Sequence, residues 1–490
     1  MNRIAEYIGE LQKKLQTPQF DFVLKISGEG EREGFKLSYC AGKITIEAEN
    51  LLAAAYALNR LSVTLSSNQL AESLGRNDPC FPLRPLWFID YNASHFNEIK
   101  VEKICRRLIE WGYNAVCLGL HLEDLEKDDV KDSLSCLEII HQFGLKLIIK
   151  PSLADSETVF LLDQSFRKQF QQKLDKLKKI KNLDYILWKG TFLNPTIRQR
   201  LAYHGMLHRD FAREEVQFFE NSLNGSLIYF VPFDRHINKQ EDWLPDFFDD
   251  VGKNTIIAFP AVAGIETMDH LLPHPLWYQL RQCPDISATR LLPIINGGLI
   301  DQGEGRWPTL PLDLIERFVS RCYRHHFAGV LVLTKHFPGK EGWLDASLWI
   351  SGQNQWNKVS PSLLAETWFA AFRSDIDYPS IAPFLKETTV LIRGLNSLQT
   401  GKVGSDESKA MVDSILAKLK ALYFSLPQEA AHQSSRPRVR DYLMLFEKEV
   451  KKAAAPFVSL NRHLNNLENN QNIDDESFEQ LIYQETKEAL

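Results

Sequence analysis

Short apolar runs recur along the middle of this chain, and an amphipathic helical stretch follows each run before the next one begins. Eight such runs predict strands, at Leu86–Tyr91, Ala115–Leu120, Leu145–Ile149, Tyr185–Trp188, Leu227–Val231, Thr255–Phe259, Arg290–Ile295 and Gly329–Leu333. Continuous apolar runs indicate strands buried on both faces, which a parallel sheet covered by helices requires. Eight of them over roughly 250 residues match a closed (β/α)8 barrel better than an open, doubly wound sheet.

Two regions flank the predicted barrel. Residues 1–80 are typical of a small α/β accessory domain, with strands at Phe20–Ile26, Phe35–Cys40 and Lys43–Ala48 and a helix at Leu51–Leu65. The proline-containing segment Gly75–Pro82 predicts a connector, so the barrel is expected to span 81–360. Residues 361–490 predict a C-terminal helical domain, because Glu407–Leu426 and Val439–Leu460 alternate charged with apolar residues.

Composition limits the class of ligand and partner. The 490 residues are 44% hydrophobic and 24% charged, which excludes a disordered or fibrous chain. A formal net charge of −6 gives no electrostatic footprint for nucleic acid or an anionic membrane, so neither is expected as a partner. The N-terminus, Met1–Glu6, lacks the apolar core of a secretory signal, which favours a cytoplasmic location.

The cysteines give no sign of a disulfide or a metal site. There are seven of them, they are widely scattered, and no C-x-x-C pair occurs. We therefore expect reduced cysteines, most of them in the core, and neither a metal nor an organic cofactor.

Acidic, basic and aromatic residues follow the predicted strands at the end where a (β/α)8 barrel builds its active site. They include Asp90, Lys150, Lys189, Asp234, Glu266 and Asp301, with the aromatic residues Trp87, Trp188 and Trp343. Aromatic faces that cover a sugar ring, beside carboxylates that bond its hydroxyls, are typical of a carbohydrate site. Taken singly, an acid after a strand is more often a helix cap. We assign Asp90, Trp188 and Trp343 to substrate binding.

Aromatic, glycine and amide residues cluster where the chain leaves the predicted barrel, at Phe327–Val330, Gly342–Trp349, Gly352–Asn357 and Ala365–Trp368. Their spacing resembles that of the glycoside hydrolase family 67 α-glucuronidases, which cut 4-O-methylglucuronic acid from xylan side chains. The resemblance implies a TIM barrel with an N-terminal α/β accessory domain of the hexosaminidase type. It also implies a C-terminal helical domain, which in that family helps to form dimers.

The resemblance extends to candidate site residues. The stretch Asn254–Trp277 is similar to a family segment that places Glu266 on one of two base carboxylates, and it carries His274, which we assign to substrate binding. Asp301 lies near the second base position. At the first barrel strand, Arg84 and Asp90 have the interval of another family motif.

The chain departs from the family after the fourth barrel strand. The family has a lysine there that binds the uronate and, four residues later, a glutamate that acts as the general acid. Lys189 keeps the lysine position, but Leu193 stands at the position of the acid, and leucine cannot protonate a leaving group. Asp234, after the fifth strand, is the candidate replacement acid, with Glu266 and Asp301 activating water.

Three functions remain open on the sequence. The first is a glycosidase that uses Asp234, Glu266 and Asp301, and the second is a catalytically inactive relative that binds a sugar or a protein. The third is an interaction scaffold that uses the C-terminal helices. All three fit the same fold, and fold alone does not decide between them.

Overall fold

The computed structural model of the chain describes residues 3–16, 21–28, 33–67, 70, 74–127, 134–152, 163–178, 180, 182–191, 195–223, 226–231, 251–252, 254–260, 290–297, 312–334, 343–356, 359–372, 378–379 and 382. The chain divides into two compact units. The first comprises Met1–Ile265, Leu271–Gly297 and Leu312–Ala371, and the second comprises Glu266–His270, Gly298–Pro311 and Phe372–Leu490. The elements below belong to the first unit, apart from the last residue of its final helix.

The N-terminal part folds as a four-stranded sheet with two helices. Its elements are α1 Arg3–Leu15, β1 Asp21–Ile26, β2 Phe35–Cys40, β3 Lys43–Ala48, α2 Leu51–Ser66 and β4 Gly75–Asn77. The strand order is β1-β3-β2-β4, with β1 parallel to β3 and the other pairs antiparallel. Asn50 caps α2 by accepting a hydrogen bond from the Ala53 amide at 2.8 Å.

The predicted connector at Gly75–Pro82 is wrong in its first three residues. Gly75–Asn77 forms β4 and pairs with Phe35–Leu37 of β2. Gly75 has a positive φ of 104°, which glycine adopts without steric cost, so the chain turns into this edge strand there. The remaining segment leads directly to the barrel.

Eight parallel strands close into a barrel, as the apolar runs predicted. They are β5 Pro85–Asn92, β6 Ala115–His121, β7 Lys146–Ser152, β8 Tyr185–Lys189, β9 Ser226–Phe230, β10 Ile256–Pro260, β11 Leu291–Asn296 and β12 Leu331–Thr334. Each strand pairs with its sequence neighbours, and β12 pairs with β5 to complete the ring. Each observed strand overlaps its predicted run.

The described helices that follow the strands are α3 Glu98–Trp111, α4 Glu138–Gln142, α5 Gln164–Leu177, α6 Pro195–His204, α7 His208–Ser222, α8 Leu312–Arg324, α9 Trp343–Trp356 and α10 Pro361–Phe372. Two short 3₁₀ turns lie at Ala93–His95 and Leu122–Glu126. Residues 383–490 lie outside the described residues. The helical domain over 361–490, with its stretches Glu407–Leu426 and Val439–Leu460, therefore stays a prediction.

Alternate side chains of each strand fill the barrel interior. The cluster there includes Trp87 of β5, Cys117 of β6, Ile148 of β7, Leu187 of β8 and Phe230 of β9. Because side chains alternate between faces along a strand, residues two positions further on point the same way. Six of the seven cysteines lie in the described part of the chain as free thiols, but the expected core position is wrong for half of them: Cys40 is exposed, and Cys80 and Cys136 are half-buried.

Barrel closure depends on a glycine at the start of the last strand. Gly329 forms an isolated bridge with Leu83, and the Leu83 amide donates to the Ala328 carbonyl at 3.1 Å. A Cβ on Gly329 would overlap the Leu83 carbonyl oxygen. The two chain segments meet this closely only because residue 329 has no side chain.

Arg84 joins the N-terminal sheet to the barrel. It is fully buried and forms an ion pair with Glu33. Its Nε donates to the Gly112 carbonyl and one of its amino groups donates to the Phe81 carbonyl, both at 2.8 Å. Its guanidinium lies 4.5 Å from the centroid of the Trp356 ring. Arg84 precedes β5, so it acts at the N-terminal end of the barrel.

We expect Gly329→Ala to lower the free energy of unfolding by about 1–3 kcal/mol, because the new methyl group must displace backbone at the closing strand pair. Gly9→Ala is the matched control, since Gly9 lies in α1 with nothing within 4 Å of an added Cβ. That control is expected to be neutral or stabilising by up to about 1 kcal/mol. Urea unfolding of both variants measures the difference, and equal stability would contradict the closure argument.

We expect Arg84→Met to cost about 3–5 kcal/mol, because it leaves the mostly buried Glu33 carboxylate without its counter-charge. Arg76→Met is the control: it removes an exposed ion pair with Asp78 and Glu49, which typically contributes only about 0–1 kcal/mol. The comparison uses urea unfolding followed by far-ultraviolet circular dichroism. Losses of the same size would show that Arg84 does not hold the two parts together.

Candidate functional site

Four of the eight predicted site residues lie outside the described residues, and so does the leucine at the position of the acid. These are the three proposed catalytic carboxylates, one proposed substrate-binding histidine and the leucine at the acid position: Asp234, Glu266, Asp301, His274 and Leu193. Asp90 lies in β5 and Trp343 begins α9, but the structure describes only their backbone. The site can therefore be built from the ends of β5 to β9.

Trp188 lies on the outer face of the barrel, contrary to its predicted place in the mouth. It is 5% exposed, and its ring packs against Phe219 of α7 and Phe170 of α5 at centroid distances of 4.5 and 5.4 Å. The reason is the alternation of β8, in which Leu187 points into the barrel. Trp188 therefore secures the helix layer and is not available to a ligand in the barrel.

Lys189 lies at the end of β8, on the same face as the inward-pointing Leu187, and it is exposed. Lys150 of β7 follows Ile148 in the same way, so both lysines face the C-terminal mouth of the barrel. Burial lowers the pKa of the Lys150 ammonium; Cys117 opposes this effect, and the charge of Lys189 makes a smaller contribution that lowers the pKa.

Trp87 lies beside Lys150 in the barrel interior. It belongs to the barrel interior and is 6% exposed, and its ring meets that of Phe230 edge-on at a centroid distance of 6.5 Å. Lys150 Nζ lies 6.0 Å from the centroid of the Trp87 ring, at the outer limit of a cation–π contact. The Trp87 indole N–H is buried and finds no hydrogen-bond acceptor among the residues that the structure describes.

His121 and Ser152 form a polar pair at the ends of β6 and β7. The two residues are register partners, and Ser152 Oγ lies 3.0 Å from His121 Nδ1. They follow Gly119 and Lys150 on the inward face of their strands. This pair adds hydrogen-bonding groups to the rim on the side of Lys150.

Asp124, one of the polar residues after β6, is committed to local structure. Its carboxylate accepts hydrogen bonds from Asn92 Nδ2 at 2.8 Å and from Ser94 Oγ at 2.9 Å, and it pairs with Lys127 at 2.7 Å. Burial opposes its ionisation, but these partners lower its pKa to about 2. A carboxylate held in the charged form in this way fixes the turn and is unsuited to donating a proton.

Glu215 anchors the loop that follows β8 and lies on the helix side of the barrel. This α7 residue is fully buried and accepts hydrogen bonds from Thr191 Oγ1 and Tyr229 OH, both at 2.6 Å, and from Trp188 Nε1 at 3.3 Å. Burial raises its pKa, and the hydrogen bonds oppose that effect. Because Thr191 lies two residues after Lys189, Glu215 fixes the backbone that carries this lysine into the mouth.

The described mouth is therefore cationic and aromatic. Lys150 and Lys189 face it from β7 and β8, the buried Trp87 ring lies in the barrel interior 6.0 Å from Lys150 Nζ, and the described Asp124 and Glu123 carboxylates near the rim already pair with lysines. Such groups bind an oxygen-rich, negatively charged ligand and orient it. No cluster of three or more metal-ligating side chains occurs among the residues that the structure describes.

Lys150 has no role assigned from the sequence, in which it is one of several polar residues that follow a predicted strand. The signal that could have identified it is positional: Lys150 is a charged residue at an inward position, two residues after the core residue Ile148. Glu215 carried no comparable signal, because an acid on a helix usually faces water.

The comparisons with solved structures show a glycosidase-like fold. The chain is similar to a GH138 enzyme targeting pectin rhamnogalacturonan II, at TM-score 0.61 and 10% identity over 100% of this chain and 90% of that chain. It is similar to CpGH84B at TM-score 0.54 and 11% identity, covering 99% and 90%. A family 89 glycoside hydrolase from Clostridium perfringens gives TM-score 0.54 and 10% identity, covering 99% and 69%.

At the level of sequence, no protein-family model and no curated protein matches this chain. The similarity to the solved structures thus concerns the course of the backbone. Within the described residues, no helix is both long and apolar enough to cross a membrane.

The raised pKa of Glu215 predicts a pH dependence of stability. A carboxyl group whose pKa is higher in the folded than in the unfolded protein stabilises the fold below its ordinary pKa of 4.5, and this contribution is lost as the pH rises through the folded-state value. Glu215→Gln lacks the titrating group. We therefore expect the unfolding free energy of the wild type, relative to this variant, to fall as the pH rises from about 4.5. Urea unfolding over a pH series tests this, and a difference that rises with pH would contradict it.

Proposed function

We propose that this chain is a glycoside hydrolase that acts on O-glycosidic bonds at the C-terminal mouth of its barrel. The observation that carries the proposal is the combination of two inward-facing lysines, Lys150 and Lys189, at that mouth with the buried indole of Trp87, which lies in the barrel interior 6.0 Å from Lys150 Nζ. An aromatic face and charged hydrogen-bond donors are the groups that bind a sugar. The similar backbones of several glycoside hydrolases support the same conclusion.

The proposed chemistry uses carboxylates that follow the later barrel strands. Asp234 protonates the leaving oxygen, while Glu266 and Asp301 activate the attacking water. Two carboxyl groups on opposite sides of the scissile bond are what glycoside hydrolysis requires. The resemblance to family 67 supports Glu266 and Asp301 in these roles, with Asp90, His274 and Trp343 binding the substrate, and it makes an α-glucuronide the first substrate class to test.

The second candidate function is a catalytically inactive, sugar-binding relative. One observation favours it: Leu193 occupies the position at which the resembled family has its general acid. Without a proton donor, cleavage of an unactivated glycoside slows by about 10²–10⁴-fold. A sugar-binding protein needs only the aromatic and cationic groups. A dimer formed through residues 361–490 is compatible with both functions.

The test is a hydrolysis screen of the purified full chain against aryl glycosides and aldobiouronic acids. If the protein is a glycosidase, it releases product, and Glu266→Gln lowers the rate by about 10²–10⁴-fold without changing the far-ultraviolet circular dichroism. Glu47→Gln is the matched control, because it removes an exposed carboxylate of β3. This control should keep full activity.

The outcomes separate the two candidate functions. Activity that Glu266→Gln leaves unchanged would overturn the proposed role of Glu266. No release from any substrate, together with measurable binding of a sugar, would establish the inactive relative instead.

A further inference from the structure

We propose that Lys150 is an amine nucleophile that forms an imine with a small hydroxy-aldehyde or hydroxy-ketone, and that His121 and Ser152 transfer the protons. An imine joins the lysine nitrogen to the former carbonyl carbon by a C=N bond. Hydrolysis of a glycoside by carboxylates passes through no such bond. The inference therefore goes beyond the proposed function and does not depend on it. It assigns covalent chemistry to β7, which carries none of the site residues assigned from the sequence.

The geometry of β7 places Lys150 on the inner face of the barrel, near the C-terminal end of the strand. Ile148 belongs to the core cluster, so Lys150 occupies the next inward position and Ser152 the one after it. Each step of two residues rises roughly 7 Å along the strand. Lys150 is half-buried, and its Nζ lies 6.0 Å from the centroid of the Trp87 ring. The side chain of Lys150 therefore lies between the apolar core and the polar rim.

The neighbouring strand β6 matches these inward positions one by one. Cys117 lies opposite Ile148, Gly119 opposite Lys150, and His121 opposite Ser152. The register thus places a glycine beside the lysine, and a histidine and a serine at the next inward position towards the mouth. A ligand that enters from the mouth meets this polar pair and the amine together.

Burial makes the amine of Lys150 a better nucleophile than that of an exposed lysine. Only the neutral amine has the lone pair that attacks a carbonyl carbon. Burial lowers the pKa of the Lys150 ammonium; Cys117 opposes this effect, and Lys189 makes a smaller contribution that lowers the pKa. A larger fraction of Lys150 than of an exposed lysine is therefore neutral at a given pH. Removal of a lysine from water, or a second cation beside it, is a known way of activating this nucleophile.

His121 and Ser152 are the groups that supply the proton transfer. Ser152 Oγ lies 3.0 Å from His121 Nδ1, so the two side chains are at hydrogen-bond distance. Imidazole is the side chain that most often donates and accepts protons in catalysis. The serine hydroxyl has a donor and two acceptor lone pairs, so it can also bind a hydroxyl group of the ligand.

The reaction needs neither an oxidant nor a reductant. The neutral Lys150 nitrogen attacks the carbonyl carbon, a C–N bond forms, and a proton moves from the nitrogen to the carbonyl oxygen, which gives a carbinolamine. His121 then protonates the new hydroxyl group, which leaves as water while the C=N bond forms. The proton that the nitrogen still carries returns to the imidazole. One amine and one carbonyl compound thus give one imine and one water molecule.

The surroundings of Lys150 favour a small carbonyl compound with a hydroxyl group on the neighbouring carbon. The His121–Ser152 pair offers hydrogen bonds to that hydroxyl group, one inward position nearer the mouth than the amine. The Trp87 ring, close to the amine, contacts the carbon atoms of the ligand. An aldehyde without the hydroxyl group reacts with the amine but gains nothing from the polar pair.

Reductive trapping of the full-length chain tests the proposal. The protein is mixed briefly at neutral pH with glycolaldehyde and cyanoborohydride, which reduces the imine to a stable secondary amine, and the modified lysines are mapped by mass spectrometry. We expect Lys150 to be modified about tenfold or more faster than Lys36, an exposed lysine of β2 in the same sample. Modification of Lys150 no faster than that of Lys36 would overturn the proposal.

Acetaldehyde tests the ligand class, because it has the same number of carbon atoms as glycolaldehyde but no hydroxyl group. We expect glycolaldehyde to modify Lys150 faster than acetaldehyde does, relative to Lys36. Equal relative rates would overturn the assignment of a hydroxy-carbonyl ligand.

Variants test the proton-transfer pair. His121→Gln and Ser152→Ala are each expected to slow the modification of Lys150 about tenfold or more, while Lys36 reacts as in the wild type. An unchanged far-ultraviolet circular dichroism spectrum shows that a variant is folded. If Lys150 reacts in both folded variants as fast as in the wild type, the role of the pair is wrong. Glycolaldehyde contains no glycosidic bond, so this result and that of the hydrolysis screen are independent, and failure of one leaves the other standing.

Discussion

Closure of the barrel by the pairing of β12 with β5 is the constraint on which the rest of this structure depends. The ring brings Val332 opposite Leu86 and fixes, for every strand, which side chains point inwards. That closure requires the close approach of Gly329 to Leu83 and is reinforced nearby by the buried Arg84 network. Once the ring is closed, Trp87, Lys150 and Lys189 lie on the inward faces of their strands, with Trp87 buried in the interior and the two lysines at the carboxyl ends of β7 and β8.

The two ends of the barrel have different roles: residues at the N-terminal end stabilise the fold, and the candidate site lies at the C-terminal end. At the N-terminal end, Arg84 lies against Trp356, the Gln355 side chain accepts a hydrogen bond from the Val330 amide, and Gly352 lies against the Trp111 carbonyl. Val330, Gly352, Gln355 and Trp356 belong to the stretches on which the family resemblance is strongest. The resemblance therefore concerns mainly the N-terminal end of the barrel, where residues stabilise the fold. Proteins of different specificity need similar packing at this end. It predicted the fold better than it could predict the reaction.

Individual residues show where reasoning from sequence stops. The eight barrel strands were predictable because continuous apolar runs that alternate with helices indicate parallel strands buried on both faces. Trp188 and Lys189 are the last two residues of β8, and both were assigned to the site. They point in opposite directions, with Trp188 packed against α7 and Lys189 in the mouth. The sequence of a single strand shows that successive side chains point to opposite faces of the sheet. It does not show which of two large neighbouring side chains faces the barrel interior.

The sequence by itself determined the order and approximate position of the barrel strands and three of the four strands of the sheet that precedes them. These features follow from local periodicity, turn residues and the burial of apolar surface. Only the tertiary structure decided that Lys150 lies beside the Trp87 indole with no counter-charge among the described residues, that Glu215 anchors the loop after Lys189, and that Arg84 is structural. Each of these three features depends on charged groups and hydrogen-bond donors that lie far apart in the chain. Whether such a group has a partner is therefore decided only when the chain has folded.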